Sequence, residues 1–155
     1  MIRRAEERDI PEIMRLLLQV NMVHHLGRPD LFRGPATKYS ADEVRALLSE
    51  EKQFIYAWTD AEDRMRGYAF CVLQVSRVSN LMQDRRTLYI DDLCVDEKAR
   101  GQHIGTDLYR HVLQEAKGLG CDSVTLNVWT CNPSAMRFYE SLGLKPLKVT
   151  MEQTL

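Results

Sequence analysis

Leu88 to Thr106 reads LYIDDLCVDEKARGQHIGT, and the fold is read outward from it. The segment opens on apolar and aromatic residues of strand type, crosses a charged turn and reaches a glycine-containing loop. Behind the loop Ile104, Leu108, Val112 and Ala116 recur at four-residue spacing, which predicts a helix over Gly105–Lys117. A strand that feeds a short loop and then a helix can hold an anion. The first helical turn carries backbone N–H groups without intrahelical partners, and the macrodipole adds partial positive charge there. Gly101 and Gly105 would let the loop bend and a phosphate come close, and Arg100 adds a charged donor. The competing reading is a plain glycine turn between a strand and a helix.

Downstream, Gly118 and Gly120 stop the helix, and Ser123–Trp129 is the next strand. Asn132 caps a helix over Pro133–Ser141 with proline at its first position, Gly143 closes it, and Leu144–Gln153 is a last strand. Upstream, Met1–Arg8 reads as a first strand, and Asp9 as the N-cap of a helix with Pro11 in its first turn. Ile13, Leu16, Leu17, Val20, Val23 and His24 form its apolar stripe, which ends near Gly27. His24–Ser40 is irregular. Ser40 and Glu43 make a capping box for a second helix with Val44, Leu47 and Leu48 on its apolar face. Residues 53–76 read as a hairpin, and Arg77–Arg86 as a mobile polar connection. The order β-α-α-β-β-β-α-β-α-β implies an α/β fold in one domain over 1–155, a mixed central sheet with helices on both faces.

Composition excludes several classes. The chain has 155 residues, 45% apolar and 28% charged, with a formal net charge of −1. That balance leaves no electrostatic footprint for nucleic acid or an anionic membrane. No apolar run approaches a membrane span, and the first residues do not read as a signal peptide. Cys71, Cys94, Cys121 and Cys131 lack C-x-x-C spacing and read as reduced thiols of a cytoplasmic protein. No metal site is expected, since His24 and His25 have no cysteine cluster near them in sequence.

Arg100-Gly101-Gln102-His103-Ile104-Gly105 resembles the acyl-CoA pyrophosphate loop of the GNAT superfamily of N-acetyltransferases, Arg/Gln-x-x-Gly-x-Gly/Ala. His103 stands where that pattern has its first glycine, so an imidazole would either crowd the pyrophosphate or hydrogen-bond to it. Asn132 to Gly143 is similar to the family's Asn-x-x-Ala-x-x-Phe-Tyr-x-x-x-Gly segment. The resemblance extends in pattern to the whole chain. It implies acetyl-CoA as co-substrate, with Arg100, Gly101, Gln102, His103, Ile104, Gly105 and Thr106 at the pyrophosphate. It also implies that the backbone of Leu93, Cys94 and Val95 pairs with the pantetheine amides like an added strand, with Asn132 at the cofactor arm.

By the same resemblance Tyr139 would protonate the departing thiolate, a task a positioned phenol can perform. The competing reading makes Phe138 and Tyr139 core aromatics of an amphipathic helix. The attacking amine must be neutral, so Asp91 and Asp92 are candidate bases. Adjacent residues of a strand point to opposite faces, so at most one serves unless a bulge intervenes. Otherwise both are solvated or one is a salt-bridge partner. Cys94 with His111 suggests a nucleophile pair, but a thiol within a strand reads better as a small hydrophobe.

His24, His25, Arg28 and Phe32, with Asp30, lie where the resembled fold covers its acceptor. They would read a polar group, or else belong to a solvated loop with one packed histidine. The reading is an N-acetyltransferase that acts on a primary amine of a small molecule or peptide by direct attack in a ternary complex. A non-catalytic acyl-CoA-binding module is the alternative. A Rossmann-type phosphate binder fits poorly, because its glycine loop follows the first strand of the unit. A homodimer is carried as an open expectation.

Overall fold

In the computed structural model, which describes residues 1–77 and 80–155, five strands form one sheet in sequential order. They are β1 (Ile2–Arg4), β2 (Gln53–Thr59), β3 (Met65–Ser76), β4 (Arg85–Val95) and β5 (Ser123–Leu126). The first four make an antiparallel meander, and β5 joins β4 in parallel. A parallel pair needs a crossover, and α3 (Ile104–Gly118) supplies it. The other helices are α1 (Ile10–Gly27), α2 (Ala41–Ser49) and α4 (Pro133–Ser141).

Strand alternation divides the core into two layers. Ile55, Ala57, Tyr68 and Phe70 face α1 and α2, where Ile13, Leu16, Leu17 and Val44 are fully buried. Tyr56, Ala69, Cys71, Leu88 and Ile90 face α3, which presents Ile104, Leu108, Val112 and Ala116 as its spacing predicts. Each fully buried aliphatic chain contributes about 1.5–3 kcal/mol. The Ser40–Glu43 capping box forms, with Ser40 Oγ accepting from the Glu43 N–H at 3.1 Å and Glu43 accepting from the Ser40 N–H at 2.7 Å.

Four expectations change. The first strand ends at Arg4 rather than Arg8. Asp9 precedes α1 but does not cap it, because a 3-10 turn over Glu7–Asp9 leads into the helix and gives Asp9 helical backbone angles. Its carboxylate reaches back to the Glu6 N–H at 2.8 Å and to the Arg3 guanidinium at 2.7 and 2.9 Å, pinning β1 to the helix. The fifth strand stops at Leu126 instead of Trp129. The last expected strand, Leu144–Gln153, is extended chain without a ladder partner among the described residues. Within the polar connection Arg77–Arg86, Val78 and Ser79 lie outside the described residues, and Arg85 already belongs to β4. No described helix is long and apolar enough to cross a membrane.

Candidate active site

The site begins where β4 outlasts its neighbour. β4 and β5 pair from Thr87–Ser123 to Ile90–Leu126, and then β5 ends while β4 runs on to Val95. One edge of Asp91, Asp92, Leu93, Cys94 and Val95 therefore has no strand beside it, which leaves room for an added strand. Gln19 of α1 donates to the Val95 carbonyl at 3.1 Å.

A β-bulge lies at the same point. Phe70 pairs with Asp92 and Cys71 with Ile90, which leaves Asp91 as the extra residue. The bulge shifts the alternation by one, so Leu88 and Ile90 pack in the α3 layer but Cys94 packs in the α1 layer. Both carboxylates thereby reach the α1–α2 side. Asp91 accepts from Tyr39 Oη at 2.6 Å and pairs with Lys38 Nζ at 2.9 Å. Lys38 Nζ also donates to the Asp91 carbonyl at 2.9 Å. Asp92 accepts from Tyr68 Oη at 2.9 Å. Burial pushes the Asp92 carboxyl up to about 6, against the Tyr68 hydrogen bond and the Lys38 charge, which favour its anion.

Asp91, Asp92, Leu93, Asn132 and Tyr139 line one cleft with His24, Asn127 and Trp129. Tyr139 comes from α4, whose N-terminus is capped as expected by Asn132 Oδ1, accepting from the Ala135 N–H at 3.3 Å. Burial raises the Tyr139 phenol, and the Asp92 charge raises it further, so it stays protonated through the physiological range. Cys94 is not a nucleophile. Its thiol points at the Leu16 carbonyl, 3.6 Å away, and burial pushes it up to about 12. His111 lies on the opposite layer against Tyr56, with ring centroids 4.6 Å apart.

The loop after β4 is built to leave donors free. Asp96, nearly inaccessible, accepts from the Lys98 N–H at 3.1 Å and pairs with Arg15 at 2.8 Å, which fixes the turn to α1. Arg100, Gly101, Gln102 and His103 are exposed, and Gly101 has φ +79°. The first backbone bond of α3 runs from the Asp107 N–H to the His103 carbonyl at 2.9 Å. The N–H groups of Ile104, Gly105 and Thr106 are left over, as at any helix start. Gly105 also has a packing reason to lack a side chain, since a Cβ there would stand 3.0 Å from Phe138 Cζ. His103 has φ +59°, a left-handed conformation that glycine adopts at no steric cost. His103→Gly should therefore keep the loop shape and raise the melting temperature slightly. Its effect on CoA affinity should stay below about tenfold, 1.4 kcal/mol. Calorimetric titration checks this, and a larger change either way would mean the imidazole touches the ligand.

The segment from His24 to Phe32, expected at the acceptor, is more internally committed than its composition suggests. His24 lines the cleft and lies tilted against Phe32 with centroids 5.1 Å apart, and Phe32 meets Trp129 edge-on at 4.9 Å. His25 turns away: its Nδ1 bonds the Phe32 carbonyl at 2.7 Å, and its ring lies against Gly34. Arg28 is held by Asp30 at 2.7 Å and Glu152 at 2.9 Å. Lys38, Tyr39, Tyr68 and Trp129 were not expected in the site. No local pattern marks Lys38, Tyr39 or Tyr68, which reach the two carboxylates from 24 or more residues away in the chain.

A strand that runs past the end of its parallel neighbour, a helix N-terminus with free amides, and adjacent carboxylates in one cleft with a tyrosine would suit acyl transfer. The Acetyltransferase (GNAT) family profile matches residues 20–144. The thialysine N-epsilon-acetyltransferase of Sus scrofa is 34% identical over 95% of this chain and 85% of its own length. Human N-alpha-acetyltransferase 30 is 28% identical over 92% of this chain but only 34% of its own length. The crystal structure of a mutant of the BH1408 protein from Bacillus halodurans superposes with a TM-score of 0.97 at 34% identity, covering 100% of this chain and 99% of that one. The sequence match over most of the chain and the shared fold lead to one assignment: the chain belongs to the GNAT acetyltransferase family.

Proposed function

We propose that this acetyltransferase moves an acetyl group from acetyl-CoA to the primary amine of a small aliphatic molecule, by direct attack in a ternary complex. The carrying observation is that Asp92 and Tyr139 meet in one cleft at the end of the β4–β5 ladder. The residues suit the co-substrate: exposed Arg100, the free amides of Ile104, Gly105 and Thr106, and the strandless edge at Leu93–Val95. Asp92, with a carboxyl near 6, takes the proton from the amine, directly or through water. The amine nitrogen bonds the thioester carbonyl carbon, the carbon–sulfur bond breaks, and Tyr139 supplies a proton to the sulfur. Asp91 positions the acceptor. Its carboxylate already holds an alkylammonium, that of Lys38, so the same chemistry would receive a lysine-like amine. The relatives named for thialysine Nε support that class over a peptide α-amine. A cytoplasmic setting fits the free thiols.

The test is two-part. At about 100-fold excess over Kd, CoA should stabilise the protein by about 2.7 kcal/mol, a rise of roughly 5–10 °C in Tm. Arg100→Ala should weaken CoA about tenfold without unfolding the protein, since a charged hydrogen bond to phosphate is worth about 1.5–3 kcal/mol. An absent shift at millimolar CoA removes acetyl-CoA from the reading. A shift without CoA release across a panel of aliphatic diamines, lysine analogues and peptides leaves an acyl-CoA-binding module.

A further inference from the structure

Two phenols divide the two carboxylates of the cleft between them. Asp91 has both oxygens taken by side chains: Tyr39 Oη donates to Oδ2 at 2.6 Å, and Lys38 Nζ sits 2.9 Å from Oδ1. Asp92 has only one oxygen so held. Tyr68 Oη donates to its Oδ2 at 2.9 Å, and among the described residues no side chain donates to Oδ1.

The fold leaves Tyr68 little choice of partner. It is fully buried on β3, in the layer under α1 with Ile13, Leu16, Leu17 and Phe70. A phenol in such a place needs an acceptor for its hydroxyl. Register supplies one. Tyr68 pairs with Cys94 and Phe70 with Asp92, so Asp92 lies diagonally across the ladder, within reach of a long side chain. The ring is held there. Phe70 meets it edge-on with centroids 5.0 Å apart, and Phe70 is itself stacked on Tyr39 at 5.7 Å. Burial, then the Asp92 charge, push the Tyr68 phenol well above its ordinary range, so it remains a donor.

We propose that Tyr68 positions the base: it fixes the Asp92 carboxylate by Oδ2 and leaves Oδ1 to take the proton of the acceptor amine. This role rests on Asp92 as the base of the proposed reaction. A carboxylate turns easily about its terminal torsion, and one fixed oxygen removes that freedom. The hydroxyl also stabilises the anion that burial disfavours. The other groups facing Asp92 do not replace it. Lys38, before α2, and the Leu93 amide favour the anion, and the Asp91 charge opposes it. Tyr39, Cys94 and Tyr139 face it as neutral groups, their ionisation disfavoured by burial first and by the Asp92 charge among others. His24 of α1 shares the cleft, and burial and the Lys38 charge lower its pKa.

Tyr68→Phe should move the acid limb of kcat/KM up by about one to two pH units, the effect of removing one hydrogen bond from a charged group. On the alkaline plateau kcat should fall roughly tenfold as the base loses its aim, at unchanged CoA affinity. Tyr39→Phe removes a phenol from the same cluster and should leave the limb where it stands. Stability gives a second readout that needs no turnover. At about pH 8, Tyr68→Phe should lower Tm more beside Asp92 than in the Asp92→Asn background, where no anion is left to lose its donor. An unmoved limb in Tyr68→Phe, an equal shift in Tyr39→Phe, or an equal loss of Tm in both backgrounds would each overturn the role. Turnover retained in Asp92→Asn would remove the base itself. Turnover abolished there, with the limb unmoved in Tyr68→Phe, would overturn the role of Tyr68 alone.

Discussion

Asp92→Asn should abolish most turnover and at the same time make the protein more stable at neutral pH. On the proposed assignment Asp92 is the base, and loss of a positioned base costs about 10²- to 10⁴-fold in kcat. The stability gain follows from linkage. The folded carboxyl sits at about 6, against 3.8 for a free aspartate, because burial disfavours its anion. A raised pKa gives a stabilising contribution that is complete below the unfolded value and lost as pH climbs through the folded one. Above pH 6 the wild type therefore bears the whole cost of a buried anion, on the order of 3 kcal/mol for about two pKa units. Asparagine has no charge to bury, and its carbonyl can still accept from Tyr68 Oη, 2.9 Å from the carboxylate it replaces. Melting temperatures of the two proteins should converge near pH 4 and diverge in the mutant's favour up to pH 7. The wild type should also lose kcat/KM as pH falls below about 6. Parallel melting curves across that range would show that Asp92 is not the buried, strained group argued here.

That pairing of lost activity with gained stability was hidden in the sequence for a geometric reason. Two adjacent aspartates on a regular strand face opposite ways, and only the bulge at Asp91 brings both toward α1 and α2. A bulge in a sheet interior leaves no compositional trace. The loop at Arg100–Gly105, the capped helix at Asn132 and the hairpin at 53–76 were legible because their causes are local: a helix start, an Asn-Pro cap, two alternating runs. Lys38 and Tyr39 were read as part of an irregular segment, and only the tertiary fold lays them on Asp91, more than fifty residues away in the chain. The converse holds at the C-terminus. The alternation at Leu147, Val149 and Met151 reads as a strand, but the segment has no ladder partner among the described residues, because periodicity does not say whether a sheet edge is within reach. Arg28 looked available for an acceptor, and two nearby carboxylates already take it.

Tyr139→Phe should lower kcat by about a hundredfold, at nearly unchanged CoA affinity and stability. The ring and its packing beside Phe138 survive, with centroids now 5.1 Å apart, and only the hydroxyl is lost. The low end of the general-acid range is expected because the leaving group is a thiolate of ordinary thiol basicity, pKa about 8.5, which departs partly unaided. The phenol's raised pKa sets the form of the pH dependence. A group shifted upward stays protonated until pH passes its folded value, which for Tyr139 lies above the usual range of a free phenol. Any alkaline limb that this phenol sets falls beyond the pH at which such assays are ordinarily run. From pH 6 to 9 the mutant should therefore lie below the wild type by a constant factor, with the acid limb from Asp92 in place. Leaving-group basicity gives the sharper test. With an acetyl donor whose thiol is more acidic, protonation matters less, and the gap between wild type and mutant should narrow. A gap that is the same for both donors would mean that the hydroxyl orients a substrate rather than protonating sulfur. Full kcat in Tyr139→Phe would make the tyrosine a packing residue of α4 and leave the thiolate to depart on its own.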